Sequence, residues 1–307
     1  MIISCRCRLF VSSFILLTAL SAAARASEKT TTPAEEQNGT KYMLRYKFTP
    51  GQTLRWKVVH RKRIQATYGG STQLSESASQ STKCWRVKEI DSDGHVVFES
   101  LVEDVNMRQK IGKHKPVSYN SKKDAKPPQG FEDAAKRIGK PLARVKLDNR
   151  GRTVHREPLL SEPTTKEKPQ LTIPLPEKAV AVGESWRERY DVMLPLETGA
   201  TKKILTQQVF TLKSVKTGVA TIEVANQVIT PIHSPKIEAK LIERYSCGTV
   251  RFDVDAGRIL SQQMDLDRRV IGFRGDDSCL HYLTRFTEQS LPEKATVADR
   301  AEKQARK

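Results

Sequence analysis

One feature limits the folds open to this chain more than any other: its pattern of glycine turns between alternating strands runs twice. Gly51-Gln-Thr-Leu-Arg-Trp56 opens one run and Gly183-Glu-Ser-Trp-Arg187 opens the other. Val145-Lys-Leu-Asp-Asn-Arg-Gly-Arg152 closes a hairpin that returns as Val250-Arg-Phe-Asp-Val-Asp-Ala-Gly-Arg258. The matched glycines are 132 residues apart at the openings (Gly51, Gly183), 124 at a middle turn (Gly94, Gly218) and 106 at the closing hairpins (Gly151, Gly257). The shrinking offset puts extra residues in the first copy, as a basic, helix-bearing insertion that the second lacks.

Within each copy the apolar residues recur with period two. Leu54, Trp56 and Val58 alternate with Thr53, Arg55 and Lys57, and Phe210 and Leu212 alternate with Thr211 and Lys213. This is the mark of half-buried strands. Tyr68-Gly69-Gly70, Asp91-Ser-Asp-Gly94, Lys216-Thr-Gly218 and Asp255-Ala-Gly257 punctuate the runs as turns. Phe131-Glu-Asp-Ala-Ala-Lys-Arg-Ile138 is the best helix candidate, with Phe131, Ala134, Ala135 and Ile138 on one face. Prolines at 158, 163, 169, 174 and 176 bar a central strand or a helix from the stretch between copies. The expected fold is all-β with a minor helix: two similar antiparallel curved sheets or half-barrels, from internal duplication.

The ends carry different signals. Arg6 and Arg8 precede an apolar run from Leu9 to Ala23, and Ala24-Arg25-Ala26 supplies a small-x-small cleavage pattern. Residues 1–26 therefore read as a signal peptide and predict an exported protein, periplasmic or extracellular, with no transmembrane segment after cleavage. The organisation expected beyond it is a disordered leader over 27–40, a first repeat with its insertion over 41–157 and a Pro-rich linker over 158–178. A second repeat over 179–291 and a charged tail over 292–307 complete the chain.

The signal, the glycine-led openings and the paired closing hairpins ending in Gly-Arg resemble a group of exported, duplicated β-rich bacterial proteins of planctomycete type whose function is unknown. The resemblance covers most of the mature chain. It implies a duplicated envelope protein and carries no catalytic residues. Gly257 and Arg258 match well; the first copy departs from the pattern, with Leu147 where the second has Phe252.

Chemistry-bearing motifs are sparse. There is no G-x-S-x-G nucleophile turn and no H-E-x-x-H zinc motif, and the six histidines are scattered. Asp91-Ser-Asp93-Gly94 begins like a calcium loop but lacks the later acidic ligand, and a hairpin turn accounts for it. No catalytic residue, metal or cofactor is expected. Cys247 and Cys279 are the candidate disulfide, with Cys84 left over.

Charge is the remaining signal. The formal net charge is +18, and loss of the three signal-peptide arginines leaves +15 (18 − 3). Lys110, Lys113, Lys115, Lys122, Lys123, Lys126, Lys136 and Arg137 form a basic stretch that is the candidate site for a polyanion. Tyr119 and Phe131 are its only aromatics, and no groove-reading element accompanies them, so specific nucleic-acid recognition is not expected. The leading expectation is a non-enzymatic envelope protein binding a partner or an apolar ligand on a concave sheet. The alternatives are a basic module for anionic polymers or membrane surfaces, and a hydrolase assembled without a local motif. The expected partners are an anionic envelope polymer, a lipid or another envelope protein.

Overall fold

The computed structural model describes residues 39–161 and 171–292. The signal peptide, nearly all of the leader, the middle of the Pro-rich linker and the tail beyond Pro292 lie outside them.

The chain forms mainly antiparallel strands. The first six are β1 (Thr53–Tyr68), β2 (Ser71–Ile90), β3 (Val96–Ile111), β4 (Val117–Asn120), β5 (Pro141–Leu147) and β6 (Thr153–Pro158). The remainder are β7 (Ser185–Pro195), β8 (Thr201–Lys216), β9 (Val219–Val228), β10 (Cys247–Asp253), β11 (Arg258–Ile271) and β12 (Cys279–Ser290). Helix α1 (Glu132–Arg137) lies between β4 and β5; α2 (Pro235–Lys240) and a 3-10 turn (Ile242–Tyr245) lie between β9 and β10.

The expectation of two sheets is corrected: there is one. Its order is β6-β5-β3-β2-β1-β12-β11-β10-β9-β8-β7, with β4 paired to β3 outside that path. The join is the pairing of β1 with β12, which runs from Trp56↔Ser290 to Thr67↔Cys279. A strand this long leaves a full row of unpaired backbone groups if it stays at an edge, and β12 supplies their partners. The strand ladder does not close: β6 and β7 are its two ends, bridged near one end by the side chains of Arg152 and Glu188 at 2.6 Å.

A second correction concerns the insertion. The second half also carries a helical excursion between its third and fourth strands, 18 residues long (229–246) against 29 in the first half (112–140). Its sequence marker is Pro235 at the start of α2, a position where proline's fixed φ suits a helix and no amide donor is lost.

One face of the sheet is apolar and encloses the core. Leu54, Trp56, Trp85, Val87, Phe98, Val145 and Leu147 pack together in the first half, while Phe210, Leu212, Ile222, Val224, Val250, Phe252 and Ile259 pack in the second. A strap of chain over residues 42–48 fills the space between them. Leu44 and Tyr46 belong to the second cluster, and Phe48 touches both. The aromatic rings form a continuous series: Phe252 meets Tyr46 edge-on at 5.4 Å, Tyr46 stacks on Phe48 at 6.0 Å, and Phe48 leans on Trp85 at 6.4 Å. The described end of the proline-rich stretch also enters the core, with Thr172, Ile173 and Leu175 buried and the Trp186 indole donating to the Pro174 carbonyl.

Candidate functional site

The site is built where five long strands run side by side. From β3 through β2, β1 and β12 to β11, register places Arg108, Ala78, Arg61, Arg285 and Asp265 in one row on the polar face. Two residues along, Lys110, Glu76, Arg63, Leu283 and Asp267 make the next row. Period-two alternation puts both rows on the face opposite Trp56 and Trp85. These ten residues line an open groove of about 710 Å³, whose floor is the backbone of the strands that also carry Lys62, Ser77, Leu266 and Thr284.

The reverse side of the groove floor is packed. Leu266, Val270 and Tyr282 point to the apolar face and are covered by Ile242 of the 3-10 turn, with Ala239 of α2 against them. Arg268 ties this cover down, donating twice to Glu238 and stacking over the Tyr245 ring at 3.7 Å. Burial, with Glu243 as its hydrogen-bond partner, pushes the Tyr282 phenol well above its ordinary value. The floor is therefore a sheet backed by packed side chains.

The groove's charges divide into satisfied and unsatisfied sets. Arg285 donates to both oxygens of Asp265 at 2.7 and 3.2 Å, and His281 meets Asp267 at 2.7 Å. Partial burial opposes ionisation of Asp265, but the hydrogen bonds from Arg285 and Gln263 outweigh it and hold its carboxyl below the ordinary value. Glu76 stands 3.9 Å from Arg63. Arg61, Arg108 and Lys110 have no side-chain partner among the described residues. The short side chain of Ala78 separates Arg61 from Arg108, and two strand spacings put them about 10 Å apart. The groove face holds five cations and three carboxylates, a net charge of +2 (5 − 3), since the Lys62 ammonium lies on the reverse side, 3.9 Å from Glu243.

The eight basic residues singled out from the sequence do not converge. Only Lys110 lines the groove. Lys122 pairs with Asp104 at 2.9 Å and Lys136 with Asp133 at 3.3 Å, while Arg137 donates to the Ser161 carbonyl at 2.7 Å. Lys113 and Lys115 sit in the β3–β4 turn, and Lys123 and Lys126 are exposed beyond β4. The main groove residues that sequence reasoning missed are Arg61, Arg63 and Arg285. Arg61-x-Arg63 within one strand was a readable sign of cations on one face; their neighbours on other strands were not.

The disulfide expectation is corrected as well. Cys84, Cys247 and Cys279 form no disulfide with one another. Cys247 lies opposite Asp265 of β11, whereas Cys279 lies opposite Ile271 of the same strand. Six residues of strand separate those positions by about 20 Å, far beyond the reach of a disulfide.

Two further arrangements have the makings of a ligand site, and both are already filled. Asp91, Asp93 and His95 bring potential metal-binding atoms together. Asp91 is already engaged: one oxygen accepts from the Asp93 and His95 amides, and the other faces His95 and the Lys146 ammonium, at 2.6 Å. Lys146 holds the Asp91 carboxyl well below the carboxylate range, so a lysine stands where a cation would bind. On the apolar side, Trp56, Trp85, Tyr46, Lys83 and Glu288 surround a void of only about 10 Å³, and Lys83 and Glu288 pair across it at 2.7 Å. That is space for at most one water.

No family model matches this chain, and a search of curated proteins found none similar to it.

Proposed function

We propose that this is an exported, non-enzymatic binding protein whose ligand is polyanionic and lies in the groove over β3, β2, β1, β12 and β11. The observation that carries this reading is the trio Arg61, Arg108 and Lys110, three cations without counter-ions around the small Ala78. Three spaced cations suit a repeating anion better than one small ion. Each side chain alone contributes little in water, and the attraction grows with the number of anions engaged together. The packed apolar face turns the reading away from an apolar ligand there. The groove's carboxylates face cationic or imidazole partners, an arrangement suited to holding a surface rather than to proton transfer.

The direct test is binding to dextran sulfate across a salt series. Affinity should fall steeply as salt rises, by the counterion logic that governs polyelectrolytes. Arg61→Gln with Arg108→Gln should flatten that slope; an unchanged slope and affinity would overturn the reading.

We further propose that the sheet arose by internal duplication. The succession β1-β2-β3-β5-β6 parallels β7-β8-β9-β10-β11 in spatial order, and each set carries its helical excursion after the third strand. Backbone superposition of Pro141–Pro158 on Cys247–Ile271 tests it. A best fit that leaves Gly151 away from Gly257 counts against common descent.

A further inference from the structure

We infer that the β3–β4 hairpin seats this protein on an anionic lipid bilayer. This deepens the groove reading by naming lipid head groups as the source of the anions, and it rests on that reading only for the contribution of Lys110 and Arg108.

The hairpin is an outboard element. β4 pairs with β3 over four positions, from Asn106↔Asn120 to Gln109↔Val117, and lies off the main strand order. Its turn reads Ile111-Gly-Lys-His-Lys-Pro-Val117. Ile111 is 55% exposed and Val117 42% exposed. Two aliphatic side chains held in water beside a turn are unfavourable for a protein with no contact there, since apolar surface removed from water gains free energy roughly with its area.

Around them stand cations. Lys113 and Lys115 are exposed and have no partner among the described residues. Arg108 and Lys110 lie on β3 just behind, on the face that lines the groove. Ile111 pairs with Ser75 and Val117 with Gln109, so the aliphatic pair occupies the opposite face of the hairpin. Aliphatics on one face, cations on the other and lysines at the tip match what an interface between acyl chains and charged head groups accepts. An anionic polymer in water would use the cations and leave Ile111 and Val117 exposed.

The hairpin is also held firmly enough to present these groups. The Gly112 amide donates to the Leu74 carbonyl at 2.7 Å, tying the turn to β2, and the His114 amide donates to the Ile111 carbonyl at 3.1 Å. At its base Tyr119 is buried and stacks on Phe131 at 6.2 Å.

The test is co-sedimentation of the full chain, after export processing, with vesicles of phosphatidylcholine alone or of equal parts phosphatidylcholine and phosphatidylglycerol. Dextran sulfate binding is measured in parallel. The wild type is expected to partition onto the anionic vesicles and not onto the neutral ones. Ile111→Ser with Val117→Ser, both exposed positions, should lower vesicle partitioning about tenfold and leave dextran sulfate binding unchanged. Lys113→Gln with Lys115→Gln should lower partitioning about 25-fold, at roughly fivefold per lysine near such a surface. Binding to dextran sulfate without binding to anionic vesicles would overturn the bilayer inference and leave the groove reading standing. Vesicle binding unaffected by the aliphatic pair would overturn the hairpin's role in the same way. Arg61→Gln with Arg108→Gln that changes neither assay would sink the groove reading instead, while loss of vesicle binding in the hairpin variants would still support the hairpin.

Discussion

Gly151 and Gly257, one from each closing hairpin, press on the same short strap. A Cβ on Gly151 would lie 2.5 Å from Tyr46 Cε2, and one on Gly257 would lie 2.6 Å from the Lys47 amide nitrogen. Both glycines have positive φ, +80° and +62°. The strap is fixed between them by backbone hydrogen bonds, from the Tyr46 amide to the Asn149 carbonyl and from the Lys47 amide to the Gly257 carbonyl. The doubled Gly-Arg signature thus has a physical role: two hairpins leave room for one strand of chain that joins the two halves of the core.

Alanine at either glycine should therefore be costly. Gly257→Ala forces a methyl group onto backbone atoms and an unfavourable φ, and a loss of about 2–4 kcal/mol is expected. Gly94→Ala is the control, because nothing lies within 4 Å of its would-be Cβ; it should cost only about 1–2 kcal/mol of left-handed strain. Urea unfolding followed by circular dichroism measures both. Equal losses at the two sites would show that the strap is not gripped.

The Lys83–Glu288 pair should behave as a unit. Glu288 is 4% exposed, and the Lys83 ammonium lies 4.7 Å from the Trp56 ring and 5.1 Å from the Trp85 ring. Lys83→Met alone leaves a buried carboxylate that keeps the Gln262 hydrogen bond but loses its ammonium partner, and should cost about 3–5 kcal/mol. Adding Glu288→Leu should recover much of that loss. A double-mutant cycle in urea checks it, and simple additivity of the two changes would remove the coupling.

His60 should make the fold acid-sensitive. Burial, and then the Lys62 ammonium, hold its imidazole below the ordinary value. A group whose folded value is depressed is neutral in both states above the unfolded value, so stability is complete there. Stability then falls as pH drops below about 6.5, where the unfolded chain takes up the proton first. His60→Gln should flatten the stability profile below neutral pH, read as melting temperature against pH. An unaltered profile would mean that His60 is as easily protonated folded as unfolded.

The thiols should leave stability insensitive to reductant. With Cys247 and Cys279 apart on the sheet, melting temperature should be the same with and without dithiothreitol. A marked fall on reduction would mean that a disulfide forms after all.

Some of this was legible in the sequence. The alternation through Trp56 and Val58, the Asp91–Gly94 turn and the closing glycines are local signals, and each appears as a strand or turn where its pattern indicates. Helix α1 was also readable from the spacing of Phe131, Ala134 and Ala135. Helix α2, no shorter than α1, was passed over because its apolar residues Ile237 and Ala239 stand two apart, which reads as strand alternation rather than a helical face. The groove was hidden for a different reason. Arg61, Arg108 and Arg285 are far apart in the chain, and only the pairing of β3, β2, β1 and β12 brings them into one row.

The sequence by itself determined an antiparallel β protein with glycine-marked turns, because side-chain alternation and turn conformation depend on neighbours within a few residues. The tertiary structure alone decided that the strands make one sheet, that Cys247 and Cys279 stay apart, and that three unpaired cations share a groove. Those outcomes depend on which distant strands pair and in what register. A shift of one residue would send every side chain of a strand to the opposite face.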